Sequence, residues 1–127
     1  MRALVIDDSR TMRRIVGSRL ESLGFEVHQA GDGQQALDLL DGGLQIDLAC
    51  IDWNMPVMDG LEFVTRVRAN PERRQITLMM VTTESETGQI VRALAAGAHE
   101  YLIKPFTPEC IREKLQLLGL VRGEEPA

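Results

Sequence analysis

The sequence predicts a single doubly wound α/β domain, a parallel sheet with helices on both faces. Three observations predict it. Short apolar runs alternate about five times with longer stretches whose apolar residues recur at helical spacing. The first and third runs are continuously apolar, as suits strands covered on both faces, and each stops abruptly on carboxylates. The strand-helix-strand order then implies right-handed crossovers within one parallel sheet. A chain of 127 residues is long enough for one such domain to bury a full core without disulfide or metal staples. Residues 1–121 are read as the domain and 122–127 as a short polar tail, too short for an output domain.

Each element has its own justification. Ala3-Leu4-Val5-Ile6 is the first run, and it ends on Asp7 and Asp8. Ser9 can cap a helix whose Met12, Ile15, Val16, Leu20 and Leu23 form an apolar stripe, with Gly24 as its stop. The Arg13-Arg14 pair falls off that stripe and reads as a solvated face. Phe25 to Ala30 alternates like a strand with one drier face, and Gly31-Asp32-Gly33 turns the chain. Ala36, Leu37, Leu39 and Leu40 mark a short second helix closed by Gly42-Gly43. Leu48-Ala49-Cys50-Ile51 is the central run, ending on Asp52. After Gly60, the positions Leu61, Phe63, Val64 and Val67 make a third helix as far as Asn70-Pro71, where proline stops it. Ile76 to Val81 is the fourth strand, ending on Thr82-Thr83-Glu84-Ser85. Ile90, Val91, Leu94 and Ala95 form the next helix, with Gly97 at its C-terminus. Tyr101-Leu102-Ile103 is the last strand and ends on Lys104-Pro105; a helix from about Pro108 carries Ile111, Leu115 and Leu118.

Composition excludes several functions. Fourteen basic against 19 acidic residues, a net charge of −5 and a pI near 5.0 leave no basic surface for nucleic acid. No apolar run approaches the ~20 residues of a membrane span, and Met1-Arg2-Ala3-Leu4 enters a strand without a signal-peptide pattern. These readings predict a cytoplasmic monomer whose partners are proteins and small ions. Cys50, inside the central strand, and Cys110, in the last helix, are expected to be reduced core thiols. His28 and His99 have no Cys, His or paired acids beside them and are read as surface or structural residues.

The strand ends carry the chemistry. In a parallel sheet Asp7, Asp8, Asp52, Thr82 and Lys104 all fall on one edge, the carboxyl end, where open α/β sheets bind ligands. If the first strand lies beside the third, their diverging crossovers open a crevice lined by the three acids. Two like charges ~4 Å apart repel by roughly 4 kcal/mol at an effective dielectric of ~20, a cost that a divalent cation would remove. Oxygen donors without His or Cys suit a hard ion such as Mg²⁺. A carboxylate can also be a covalent nucleophile in aspartyl-phosphate chemistry. A phosphoryl group on Asp52 would then find a metal on one side, Lys104 on the other and the Thr82 hydroxyl as a donor.

Four stretches sharpen this. Asp7-Asp8-Ser9-Arg10-Thr11-Met12-Arg13-Arg14-Ile15, Asp52-Trp53-Asn54-Met55-Pro56-Val57-Met58-Asp59-Gly60, Met80-Val81-Thr82 and Tyr101-Leu102-Ile103-Lys104-Pro105-Phe106 together resemble the receiver domains of two-component response regulators. Among these the chain is most similar to the stand-alone chemotaxis regulators, from about Leu4 to Leu118. The resemblance implies a (βα)5 flavodoxin-like domain with strand order 2-1-3-4-5. It implies that Asp52 accepts phosphate from a histidine kinase and that Mg²⁺, or Mn²⁺, is held by Asp7, Asp8, Asp52 and the backbone carbonyl of Asn54. Of the two leading acids, Asp8 would ligate directly and Asp7 mainly through water. Thr82 and Lys104 would bind phosphoryl oxygens, and Tyr101 would turn inward when Thr82 is recruited. Asn54 and Glu84 would tune dephosphorylation by controlling water, and Lys104-Pro105 would be a cis peptide.

The implied protein is a signalling switch and not an enzyme, though it assists its own phosphorylation and dephosphorylation. Its downstream protein would bind on the face made by the fourth helix, fifth strand and fifth helix. Where motor-switch regulators open the fourth helix with a lysine pair, this chain has Glu86 and Thr87, an acidic departure that weighs against a flagellar-switch partner. A phosphorelay intermediate, passing phosphate to a histidine phosphotransfer protein, is the alternative. A metal-dependent aspartyl-phosphate phosphatase fits less well, because Asn54 stands where its second carboxylate would be. A flavin site fits less well still, because no Ser/Thr/Gly phosphate loop follows the first strand.

Overall fold

The computed structural model describes residues 1–83 and 87–121, with Thr87 described by its backbone. Five strands, β1 (Arg2–Ile6), β2 (Glu26–Ala30), β3 (Leu48–Asp52), β4 (Thr77–Thr83) and β5 (Glu100–Lys104), form one sheet. Five helices alternate with them: α1 (Arg10–Ser22), α2 (Gly33–Asp41), α3 (Gly60–Ala69), α4 (Thr87–Ala96) and α5 (Pro108–Leu117); a 3-10 turn, Pro71–Arg73, follows α3. All pairings are parallel and the order is β2-β1-β3-β4-β5.

Strand alternation sorts the core into two layers. Leu4, Ile6, Ala49, Ile51, Leu78 and Met80 pack with Phe63, Val64 and Val67 of α3, Leu37 and Leu40 of α2, and Ala93 of α4. Their neighbours Ala3, Val5, Leu48, Cys50, Met79 and Val81 pack on Val16 and Leu20 of α1 and Ile111 and Leu115 of α5. β3 is therefore buried at every position, the physical reason its sequence is apolar without alternation. Helix starts are capped as short polar side chains should cap them: Ser9 Oγ accepts from the Met12 N–H, Asp32 from Gln35, Asp59 from Glu62 and Thr107 from Cys110.

The structure corrects the reading of three helices: in α2, Leu39 is exposed, and the buried residues are Gly33, Ala36, Leu37 and Leu40. In α1, Ile15 is exposed, and the buried residues are Val16, Gly17 and Leu20. In α4, Val91 and Leu94 are exposed, while Ile90 and Ala93 are buried. The small Ala93 suits the close packing of α4 against α3 and β4, whereas Ala95, expected on the apolar stripe, is exposed. Both cysteines are free thiols; Cys50 is buried and Cys110 half-buried against the α1/α5 layer. No helix among the described residues is long and apolar enough to cross a membrane.

Candidate functional site

The β1–β3 pairing puts Ile6 opposite Ile51, so Asp7 and Asp52 leave adjacent strands side by side. Asp7, Asp8 and Asp52 each bring a carboxylate oxygen within 4.8 Å of the others. Asp7 and Asp52 are almost wholly buried, at 4% and 8% exposure, and Asp8 is exposed. From β5 the Lys104 ammonium enters between them, 3.2 Å from Asp52 Oδ1 and 3.4 Å from Asp7 Oδ2. Thr82, 2% exposed, lies one residue past Val81, the cross-strand partner of Asp52.

These groups perturb one another in a definite sense. Burial pushes the Asp52 carboxyl up to about 6; the neighbouring Asp7 charge adds to that rise and Lys104 opposes it. Burial alone would lower Lys104, but the charges of Asp52 and Asp7 outweigh it and hold the ammonium above the ordinary lysine value. One ammonium does not balance three carboxylates, so the cluster retains excess negative charge. An all-oxygen donor set with surplus charge fits a hard divalent cation; the cluster could hold a metal ion.

Local structure holds these acids in place. Asp7 Oδ1 accepts from the Ser9 N–H at 2.8 Å, which tightens the turn into α1. Arg13 donates to the backbone carbonyl of Asp7 at 2.6 Å and to Gln29 at 3.2 Å, so it anchors the acidic loop. The expected solvated face holds for exposed Arg14 but not for Arg13. Gly60 opens α3 immediately beneath β3: a Cβ there would lie 2.7 Å from the Asp52 carbonyl oxygen and 3.1 Å from Trp53 Cα. Between them Val57 adopts φ 69°, a left-handed conformation unusual for a β-branched residue. The Lys104-Pro105 peptide is cis.

The remaining expected residues are distributed less tightly. Asn54 is exposed in the loop after β3. Tyr101 is half-buried and packs against the layer formed by α2, α3 and α4. Glu84, Glu86 and the Thr87 side chain lie outside the described residues. His28 pairs with Glu26 on the surface, whereas His99 is structural: its Nδ1 faces the Leu78 N–H and an Arg68 nitrogen, each at 3.1 Å. Arg68 also donates to the carbonyls of Gly97, Arg73, Arg74 and Ile76. No periodicity or motif marks Arg68; Gly60 closes one of the motif stretches, but the close approach to the Asp52 carbonyl that it permits shows only in the folded chain.

Two hollows flank the sheet. An apolar cleft of about 420 Å³ beside the acids is lined by Met12, Ile15, Thr83, Lys104, Pro105 and Phe106. A larger one, about 980 Å³, opens at the other end of the strands, where its charges are paired internally as Arg2–Glu26 and Arg73–Asp41. None of the sequence-predicted site residues lines that larger hollow, so the chemistry belongs to the smaller side.

Comparison with known proteins agrees with this geometry. Residues 3–116 match the family model described as the response regulator receiver domain. The chain belongs to the response regulator receiver domains. A Campylobacter jejuni relative, "Chemotaxis protein CheY homolog", is 44% identical over 100% of this chain and 99% of its own length. "Chemotaxis protein CheY1" of Helicobacter pylori is 43% identical over 93% of this chain and 96% of its own. Among solved structures, chemotaxis response regulator CheY4 of Vibrio cholerae superimposes with a TM-score of 0.84 at 37% identity, covering 92% of this receiver and 97% of that chain.

Proposed function

We propose that this receiver is a single-domain response regulator, residues 1–121, in which Asp52 accepts a phosphoryl group from a histidine kinase and the phosphorylated form binds a downstream protein. An Asp52 oxygen attacks the phosphorus of a phosphohistidine. The O–P bond forms as the N–P bond breaks, and the imidazole leaves with the electron pair. Asp7, Asp8, Asp52 and the Asn54 backbone carbonyl would hold Mg²⁺, or Mn²⁺, which when bound supplies positive charge to the phosphoryl oxygens. Lys104 neutralises a further oxygen from the opposite side, and Thr82 donates its hydroxyl to another. Thr82 and Tyr101 then shift together, altering the surface of α4, β5 and α5 on which the target binds.

The observation that carries this reading is the Lys104 ammonium 3.2 Å from Asp52 Oδ1, beside two further carboxylates at the carboxyl edge of the sheet. The names of the relatives support a chemotaxis-type output. Glu86 and Thr87, standing where motor-switch regulators carry a lysine pair, give that output a different charge, so the target need not be a flagellar switch. Asn54 and Glu84 tune the phosphoryl lifetime, and the chain acts in the cytoplasm as a switch, not as a turnover enzyme. The test uses the full chain with Mg²⁺ and a small acyl-phosphate donor. Intact-mass measurement should show one added phosphoryl group in the wild type and none in Asp52→Asn. The fluorescence of Trp53, the single tryptophan, should change in parallel. A phosphorylated Asp52→Asn variant would overturn the assignment.

A further inference from the structure

The open edge of the sheet is closed by three side chains. β5 is its outermost strand, with β4 on one side and no strand among the described residues on the other. Tyr101 packs against the layer of α2, α3 and α4, whereas its neighbour Leu102 packs in the opposite layer with α1 and α5. Lys114 stands on α5, whose buried residues Ile111 and Leu115 belong to that opposite layer. Even so, the Lys114 ammonium lies 4.4 Å from the centroid of the Tyr101 ring. The lysine therefore reaches around the sheet edge from one face to a ring packed on the other.

Glu100 holds it there. Its Oε1 accepts from Lys114 Nζ at 3.1 Å and from the Tyr101 N–H at 3.0 Å. The lysine and glutamate side chains are only 26% and 19% exposed, so the pair is shielded compared with a surface ion pair and its geometry is defined by backbone as well as charge. A cation over an aromatic face attracts the ring electrostatically, and the attraction grows as the cation loses water.

The geometry points to a latch: Lys114, fixed by Glu100, is a positioning residue that keeps the Tyr101 ring at the open edge of the sheet. The register shows what the latch acts against. Tyr101 is opposite Met80 and Ile103 opposite Thr82, so Thr82 and Tyr101 are on the same face of adjacent strands. Motion of the ring toward Thr82 takes it away from the ammonium. The latch rests on the proposed coupling of Thr82 and Tyr101 and makes it more specific: the resting chain is biased against the inward ring, and phosphate must overcome that bias. Loss of a cation–ring contact of this kind changes a population ratio about two- to fivefold.

The chain has one tyrosine, so incorporation of 3-fluorotyrosine gives a single ¹⁹F resonance reporting this ring. In the metal-free, unphosphorylated full chain, Lys114→Met and Glu100→Gln should both move that resonance in the direction in which phosphorylation moves the wild type. Both should lower the acyl-phosphate concentration needed for half-maximal Trp53 response about two- to fivefold. Lys114→Arg, which keeps a cation able to stack on the ring, should behave as the wild type. Where the wild-type resonance does respond to phosphorylation, equal half-maximal concentrations in the wild type and both variants overturn the latch. If the wild-type resonance ignores phosphorylation that intact mass confirms, the Thr82–Tyr101 coupling fails. In that event, an unchanged resting resonance in Glu100→Gln also overturns the latch, and a changed one supports it.

Discussion

Replacing Asp52 by Asn should make the metal-free protein more stable, although it removes the residue on which the proposed function depends. Asp52 is raised from 3.8 to about 6, chiefly by burial and then by Asp7. An acid whose pKa rises on folding contributes stability that is fully present below its unfolded pKa and is lost as pH rises through the folded value. At pH ~7.5 the ionised Asp52 therefore costs up to about 3 kcal/mol. The value of about 6 already contains the opposing attraction of Lys104, so removing the charge with Asn carries no separate loss for that pair. The expectation is a gain of up to about 3 kcal/mol, or about 10 °C in melting temperature for a chain of this length. Thermal and urea melts in chelator-containing buffer measure it. The advantage should shrink as pH falls from about 6 toward 3.8 and vanish below, where the wild-type carboxyl is protonated both folded and unfolded. Adding Mg²⁺ should stabilise the wild type more than the variant. A variant no more stable than the wild type at neutral pH, or a gap indifferent to pH, would show that the site's negative charge is already balanced.

Other substitutions test the scaffold. Gly60→Ala places a methyl group 2.7 Å from the Asp52 carbonyl oxygen, against backbone that cannot swing away; it should cost about 2 kcal/mol and slow phosphorylation, read by urea melts and by the Trp53 response. Val57→Asn should stabilise by roughly 0.5–1 kcal/mol, because Val57 is 81% exposed and its φ of 69° suits asparagine far better; an unchanged urea midpoint would count against strain at that position. His99 is held below its ordinary value of 6.5 by burial and then by the Arg68 charge, with Nδ1 facing donors from Leu78 and Arg68. The unfolded chain therefore takes up a proton below pH 6.5 that the folded chain refuses, and wild-type stability should fall with acidification from there. His99→Asn, whose amide oxygen can replace Nδ1 as acceptor, should lose that component, so melts at a series of pH values should show the two proteins converging in acid.

How much was legible in the sequence follows from which residues answer to local rules. β3 was legible because burial on both faces requires an unbroken apolar run, and Asp52 because a charge can end such a run only at an edge. Ser9 and Gly24 were legible because capping and helix termination are short-range chemistry. The four motif stretches also carried the family, which the comparison over residues 3–116 establishes.

Contacts between distant segments could not be read that way. The sequence determined the strands, the helices and the chemistry that reaches one edge of the sheet, because each depends on residues a few positions apart. Only the tertiary structure decided that Lys104 stands between Asp7 and Asp52, that Gly60 leaves no room for a side chain beneath Asp52, and that Lys114 bridges the sheet edge to Tyr101. Each of these relations depends on how separate elements pack and not on spacing within one element, and its energy appears only when folding removes the water between them.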